Sequence, residues 1–332
     1  MKIGAIKNTV KAAYATRKQP IMIWGPPGVG KSAGVKQAAA ELKVDCIDLR
    51  LSLLESIDLR GLPVPGKNGE VVWSVPSFLP KKGKGILFID EIVQASGSMQ
   101  AAASQLILDR RIGEYVLPDG WMVVAAGNRL SDRSAAGAMP KHIANRFVHL
   151  YAEVDTSEWL DWAEDQDIDI RVRAFIKFRP ALLHVFDPQH KGEAFASPRS
   201  WAFASDMLAT VDVASRLEVM AGTVGEGAAA EFVGFVRMFE TLPDTDDIIA
   251  DPDNAPLEAN PSVLYAISTA LSAAADKTNL AAIVKYFNRV ADMGRPEFGV
   301  RAMHEIKRRD ECLCKTTAYI GWANKSHSAL VG

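Results

Sequence analysis

Gly25-Pro26-Pro27-Gly28-Val29-Gly30-Lys31-Ser32 decides the reading of this chain. The stretch fits G-x-x-x-x-G-K-[ST] at every position, and it follows the apolar run Ile21-Met22-Ile23-Trp24. A buried strand turning abruptly into a helix is the context that a phosphate-binding loop needs. Glycines at 25, 28 and 30 let the backbone fold back and aim N–H groups at phosphate oxygens. Gly25, Pro26, Pro27, Gly28, Val29 and Gly30 then form the cradle. Lys31 reaches the β- and γ-phosphates and the Ser32 hydroxyl ligates Mg²⁺. The helix that opens near Lys31 adds the positive end of its dipole.

Downstream, Ile86-Leu87-Phe88-Ile89-Asp90-Glu91 ends an apolar, non-alternating run on two carboxylates. Such a run fits a strand covered on both faces. Asp90 is placed to hold the Mg²⁺ hydration shell, and Glu91 to orient and deprotonate an attacking water. Asn128 follows a third apolar run, Trp121–Gly127, where its amide can hydrogen-bond a γ-phosphate or the water. Alone, an asparagine there would read as a turn-former bonded to its own backbone.

Around these motifs the first 150 or so residues alternate β-rich and helical stretches, the signature of an α/β domain with a parallel sheet. Strands are expected at Ile21–Trp24, Val44–Leu49, Gly85–Asp90, Met122–Ala126 and Phe147–Tyr151, and helices at Lys31–Leu42, Ser98–Arg110 and Pro140–Asn145. Leu53–Pro80 breaks the alternation: a Gly66-Lys67-Asn68-Gly69 turn between apolar flanks predicts a β-hairpin or insertion. Trp73 and Phe78 within it are either hairpin packing or substrate-facing aromatics. A second projection, Arg111–Gly120, reads as two short β segments with a Pro118-Asp119-Gly120 turn. Beyond Tyr151 the pattern is helical. Helices are expected from Asp155 to Gln166 (capped by Thr156 or Ser157), from Ser197-Pro198-Arg199, and over Ala228–Glu240, Val263–Ala274 and Leu280–Met293. The acidic segment Pro243–Pro256 reads as a solvated loop.

Composition excludes several classes. The 332 residues are 48% hydrophobic and 23% charged, with a formal charge of −2, which gives no general attraction to nucleic acid. No run of about twenty apolar residues is present to span a membrane, and the N-terminus lacks the apolar core of a signal peptide. Cys46, Cys312 and Cys314 make no disulfide framework, and reduced thiols suit the cytoplasm. Lys81-Lys82-Gly83-Lys84 reads as a solvated loop or a polyanion contact, and Arg110-Arg111 as a subunit contact or an exposed helix end.

Taken together, the G-P-P-G-V-G-K-S loop, the I-D-E strand end, Asn128 and Asn145-Arg146-Phe147 resemble the AAA+ ATPases. Asp58-Leu59-Arg60-Gly61 with its hairpin, the Ile112–Gly120 hairpin and Ser197-Pro198-Arg199 resemble the MoxR group, particularly its small phage and bacterial members. The resemblance is strong over residues 18–205 and weak after 245.

That resemblance implies a P-loop NTPase αβα sandwich with a five-stranded parallel sheet over residues 1–151. It implies an insertion at 55–79, a pre-sensor hairpin at 111–120, an α-helical lid at 152–240 and a helical C-terminal extension at 241–332. It also implies roles. Gly25–Ser32 matches the Walker A loop, Asp90-Glu91 Walker B and Asn128 sensor 1. Arg146 matches the arginine finger that reaches a neighbouring subunit's γ-phosphate, and Arg199 the sensor-2 arginine of the lid. The implied function is an ATP- and Mg²⁺-dependent cytoplasmic ATPase in a homo-oligomeric ring, hexameric by that resemblance. It would remodel a protein client, with a von Willebrand A-type adaptor as the partner to look for. A nucleic-acid motor or loader is the alternative; the Ile112–Gly120 hairpin has Glu114 and Asp119 and no basic residue, and the insertion offers Arg60 and Lys67 against Glu55, Asp58 and Glu70, which argues against it. A slow nucleotide-gated switch and a small-molecule kinase rank behind.

Overall fold

A computed structural model describes residues 1–66, 70–132, 139–189 and 192–330. The chain divides into two compact units. The first holds Met1–Trp159, His184–Gly192 and Ser197–Arg199, and the second holds Leu160–Leu183, Glu193–Ala196 and Ser200–Gly332.

The first unit is built on five parallel strands: β1 (Ile21–Trp24), β2 (Asp45–Arg50), β5 (Gly85–Asp90), β8 (Trp121–Gly127) and β9 (Val148–Tyr151), in the order β2-β5-β8-β1-β9. Two antiparallel hairpins stand apart, β3–β4 (Leu62–Pro65, Val71–Ser74) and β6–β7 (Arg111–Ile112, Tyr115–Val116). Successive side chains of a strand point to opposite faces, and here both faces are apolar. Ile21, Ile23, Ile86, Phe88, Met122, Val124 and Ala126 pack against Ile6 and Val10 of α1 (Ile3–Ala15) and Val35, Ala38 and Ala39 of α2 (Lys31–Leu42). Met22, Leu87, Ile89, Val123 and Ala125 pack on the other side, against Leu59 of α3 (Ser56–Arg60), Met99, Ala103 and Leu106 of α4 (Gly97–Asp109), and Ile143 of α5 (Lys141–Ala144). The result is a three-layer P-loop NTPase-like α/β fold, followed by a helical C-terminal region. Burying a Phe88-sized side chain is worth roughly 1.5–3 kcal/mol, so this double-sided core explains why three apolar runs without alternation become central strands.

Because β5, β8 and β1 are adjacent and parallel, with Ile21 opposite Val124 and Phe88 opposite Val124, their carboxyl ends lie side by side. In open α/β sheets that edge is where ligands bind.

The second unit is helical: α6 (Thr156–Asp165, from Leu160), α7 (Ile170–Phe178), α8 (Pro198–Leu208, from Ser200), α9 (Arg216–Val224), α10 (Glu226–Phe239), α11 (Thr245–Ala250), α12 (Pro261–Ala274), α13 (Leu280–Asp292), α14 (Pro296–Arg309) and α15 (Thr317–Leu330). The Phe175, Trp201 and Phe232 rings meet at 5.2–5.4 Å between centroids. Leu264, Ile267, Ile283, Phe287, Phe298 and Ile306 form a second core. A Lys177–Glu305 ion pair of 2.7 Å ties α7 to α14. No described helix is long and apolar enough to cross a membrane.

Several expectations shift. Helix α1 was not anticipated, although Ile6 and Val10, with the partly buried Ile3, carry its apolar stripe. Strand β2 begins at Asp45 rather than Val44, and α5 spans only Lys141–Ala144. Helix α6 is capped by Asp155, whose Oδ1 accepts from Glu158 N at 2.9 Å, and not by Thr156 or Ser157. The acidic stretch holds α11, capped by Asp244. In the second hairpin the tight turn is at Gly113-Glu114, with Gly113 at φ +54, while Pro118-Asp119-Gly120 turns the chain into β8. The first hairpin has its strands as expected, and residues 67–69 of its tip lie outside the described residues. Phe78 packs on the core, whereas Trp73 is exposed rather than packed.

Candidate functional site

The phosphate loop leaves β1 and enters α2 through two residues in the left-handed region, Gly28 (φ +78) and Gly30 (φ +94). L side chains rarely adopt that conformation. Space enforces the same choice at Gly28, where a Cβ would come within 2.6 Å of Ser197 Oγ. Gly30 is the N-cap of α2, so no side chain takes up the first N–H groups of that helix, which leaves them to an anion.

Lys31 closes the loop on itself. Its Nζ donates to Gly25 O (2.7 Å), Pro26 O (2.9 Å) and Asn128 Oδ1 (3.0 Å). Burial pushes its pKa down to about 8. Asp90 and Asp132 work against that shift, and Arg199 and Arg129 add to it. Ser32 Oγ donates to Asp90 Oδ2 at 2.8 Å, and Asp90 Oδ1 accepts from Glu91 N at 3.0 Å. Two hard oxygen donors so close together, from a hydroxyl and a carboxylate, are the kind of partial shell that Mg²⁺ takes alongside phosphate and water. Glu91 itself is held at φ +56. That conformation costs a residue with a side chain roughly 1–2 kcal/mol, a strain typical of functional sites. Its Oε2 accepts from Ser52 Oγ at 2.7 Å.

Sequence reasoning named Lys31, Ser32, Asp90, Glu91 and Asn128, and hydrogen bonds join them in two groups, Lys31 with Asn128 and Ser32 with Asp90, the latter also receiving the backbone N–H of Glu91. Arg199 belongs to the same unit: its backbone N donates to Gly28 O at 3.3 Å and its side chain is exposed. Arg146 stands apart. It is exposed in the turn between α5 and β9, and among the described residues no hydrogen bond or ion pair engages its side chain. The neighbouring strands are stitched together here. Trp24 Nε1 donates to His149 Nδ1 at 2.8 Å, so His149 Nε2 carries the proton it donates to Ala144 O, also at 2.8 Å.

Four residues that sequence reasoning missed border the site. Besides Ser52 they are Arg129, the buried Asp132 that grips it, and His184, whose Nε2 lies 3.3 Å from Pro27 O. The spacing Asn128-Arg129-x-x-Asp132 was a readable signal, whereas nothing in the sequence marks Ser52 or His184. Arg110 sits at φ +55 and its Nη2 donates to Pro118 O and Trp121 O, so it braces its own hairpin. Among the described residues no group of three His, Cys, Asp or Glu side chains is placed to hold a metal, Cys312 and Cys314 included. A cleft of about 780 Å³ in the second unit, among Phe287, Val300, Arg301, His304 and Trp322, contains none of these residues.

Residues 21–148 match the family described as "ATPase family associated with various cellular activities (AAA)". Over 167 residues the chain is 34% identical to midasin of Giardia intestinalis, a stretch that covers 47% of this chain and 3% of that protein. The chain therefore spans only a small fraction of that relative's length. Among solved structures it is similar to NtrX from Brucella abortus, with 15% identity, coverage of 91% of this chain and 67% of that one, and a TM-score of 0.42. It is also similar to a RuvB variant of Thermotoga maritima, with 16% identity, coverage of 82% and 83%, and a TM-score of 0.40.

Proposed function

We propose that the chain is an Mg²⁺-dependent ATPase of the MoxR-like AAA+ type, which assembles into a homo-oligomeric ring and uses hydrolysis to remodel a protein partner. One observation carries this reading: Lys31, the Ser32–Asp90 pair and Asn128 converge by hydrogen bonds at the carboxyl edge of three adjacent parallel strands. ATP is the substrate that this convergence fits. The loop from Gly25 to Gly30 and the uncapped start of α2 hold its phosphates, and Lys31 exchanges its carbonyl and amide partners for phosphate oxygens. Ser32 and Asp90 would hold Mg²⁺, which when bound neutralises charge on the phosphates.

Glu91 takes the proton of the attacking water once Ser52 releases it, a contribution of about 10²–10⁴-fold. Asn128 orients that water or the γ-phosphate. Arg199 of the same chain and Arg146 of the next subunit bring fixed cations to the charge that spreads in the transition state. Residues 152–240 act as the lid and 241–332 as a helical extension. The β3–β4 and β6–β7 hairpins face the client, directly or through a von Willebrand A-type adaptor. A nucleic-acid substrate is disfavoured by charge: the described part of the first hairpin holds no basic residue, and the second offers Arg111 beside Glu114.

The test is a pair of variants. Lys31→Ala should lose ATP binding, while Glu91→Gln should keep it and lose turnover by about 100-fold or more. Wild-type hydrolysis by either variant sinks the reading.

A further inference from the structure

We propose that Arg129, pre-oriented by the buried Asp132, is a further phosphate-contacting residue of the same chain, the one that distinguishes a nucleoside triphosphate from a diphosphate. This rests on the nucleotide reading above.

Arg129 directly follows Asn128, whose Oδ1 accepts from the Lys31 ammonium at 3.0 Å. It therefore leaves β8 at the end where the phosphates would lie. Asp132 takes hold of it at three points: Arg129 N and Oδ2 at 2.9 Å, Nε and Oδ2 at 3.3 Å, and Nη2 and Oδ1 at 3.2 Å. Ser131 Oγ adds a fourth donor, 3.3 Å from Oδ1. The Asp132 side chain is 5% exposed and that of Arg129 is 41% exposed. One edge of the guanidinium is thus fixed, while Nη1 has no partner among the described residues and the group stays open to solvent.

A buried carboxylate is costly unless it is well paired, and an exposed ion pair adds little stability. A carboxylate sunk to this depth beneath a half-open arginine is arranged to aim that arginine. The pair lies next to the loop: Arg129 adjoins Asn128, which is bonded to the Lys31 ammonium, and both partners are close enough to act electrostatically on Lys31 and on His184, which contacts Pro27 O. Lys31 and the start of α2 serve the phosphates from the loop side, so a fork presented beyond Asn128 meets the terminal one. A planar guanidinium can donate to Asp132 from one edge and to phosphate oxygens from another.

Binding of ATP and ADP is measured in the full chain carrying Glu91→Gln, so that ATP survives. Adding Arg129→Gln should weaken ATP by about 10- to 100-fold, the worth of a charge-assisted contact, and leave ADP within about twofold. Asp132→Asn, which loosens the aim but keeps the cation, should lose part of the ATP preference. Equal weakening of both nucleotides, or of neither, overturns the proposal. Should Arg129→Gln fail to fold, Arg129→Lys takes its place: it keeps the charge without the fork and should fall between wild type and the loss expected of Gln, with an unchanged ATP-to-ADP ratio again overturning the proposal. Lys31→Ala in the same Glu91→Gln background serves as the control. If it binds ATP as tightly as that parent, the nucleotide reading itself has failed. If it loses ATP while the Arg129 variants keep the full ATP preference, only the present inference falls.

Discussion

Lys31 is a cation kept in a poor solvent by three neutral oxygens, and its pKa of about 8 records that arrangement. Two consequences of opposite sign follow. Unfolding returns the lysine to its ordinary value of 10.5, so between about pH 8 and 10.5 the unfolded chain binds more protons and the free protein gains stability as pH rises. Phosphate binding demands the charged form, so over the same window ATP affinity falls, with log Kd rising toward one unit per pH unit. Thermal melts and ATP titrations from pH 7 to 9.5 should show both slopes, and Lys31→Met should flatten the stability slope and lose ATP binding at every pH. That Lys31, Ser32, Asp90, Glu91 and Asn128 lie together was legible, because a phosphate-binding reading asks for set residue types and spacings at strand ends. Ser52 and His184 were not, since a serine after an edge strand and a histidine about 150 residues downstream of the loop meet the site only through tertiary folding.

The hairpins show where local signals compete. Pro118-Asp119-Gly120 is a stronger turn signature than Gly113-Glu114, so the sequence marked the turn that leads into β8 and not the one that closes the hairpin. The chain instead closes its ladder with Leu117 N donating to Arg110 O at 2.7 Å. In the first hairpin Leu62, Val64, Val71, Val72 and Trp73 are all exposed, so alternation has no core side to report, and packing could not be separated from display in advance. The two aromatics there should behave differently. Phe78→Ala, which opens the core edge, should cost about 2–4 kcal/mol, and Trp73→Ala about 0.5 kcal/mol or less. Chemical denaturation measures both, and equal losses would place Trp73 in the core after all.

Across the whole molecule the α/β unit was easier to read than the helical one. Alternating strands and helices leave few topologies open, whereas Ile170-Arg171-Val172-Arg173 alternates like a strand and still forms α7, capped by Asp169 and buried through Val172, Phe175 and Ile176. Assembly tests the proposal at this scale. Among the described residues nothing engages the charge of Arg146, so subunits carrying Arg146→Ala and subunits carrying Glu91→Gln, each inactive alone, should recover part of the ATPase rate when mixed. Mixed rings that form and stay silent count against a shared pocket. The Trp24–His149–Ala144 chain of hydrogen bonds gives such sharing a mechanical side. It links the strand that launches the phosphate loop to the end of α5, two residues before Arg146. If copies assemble as proposed, a loop that shifts on filling would pull on the turn that bears Arg146, and one site's occupancy would set its neighbour's timing.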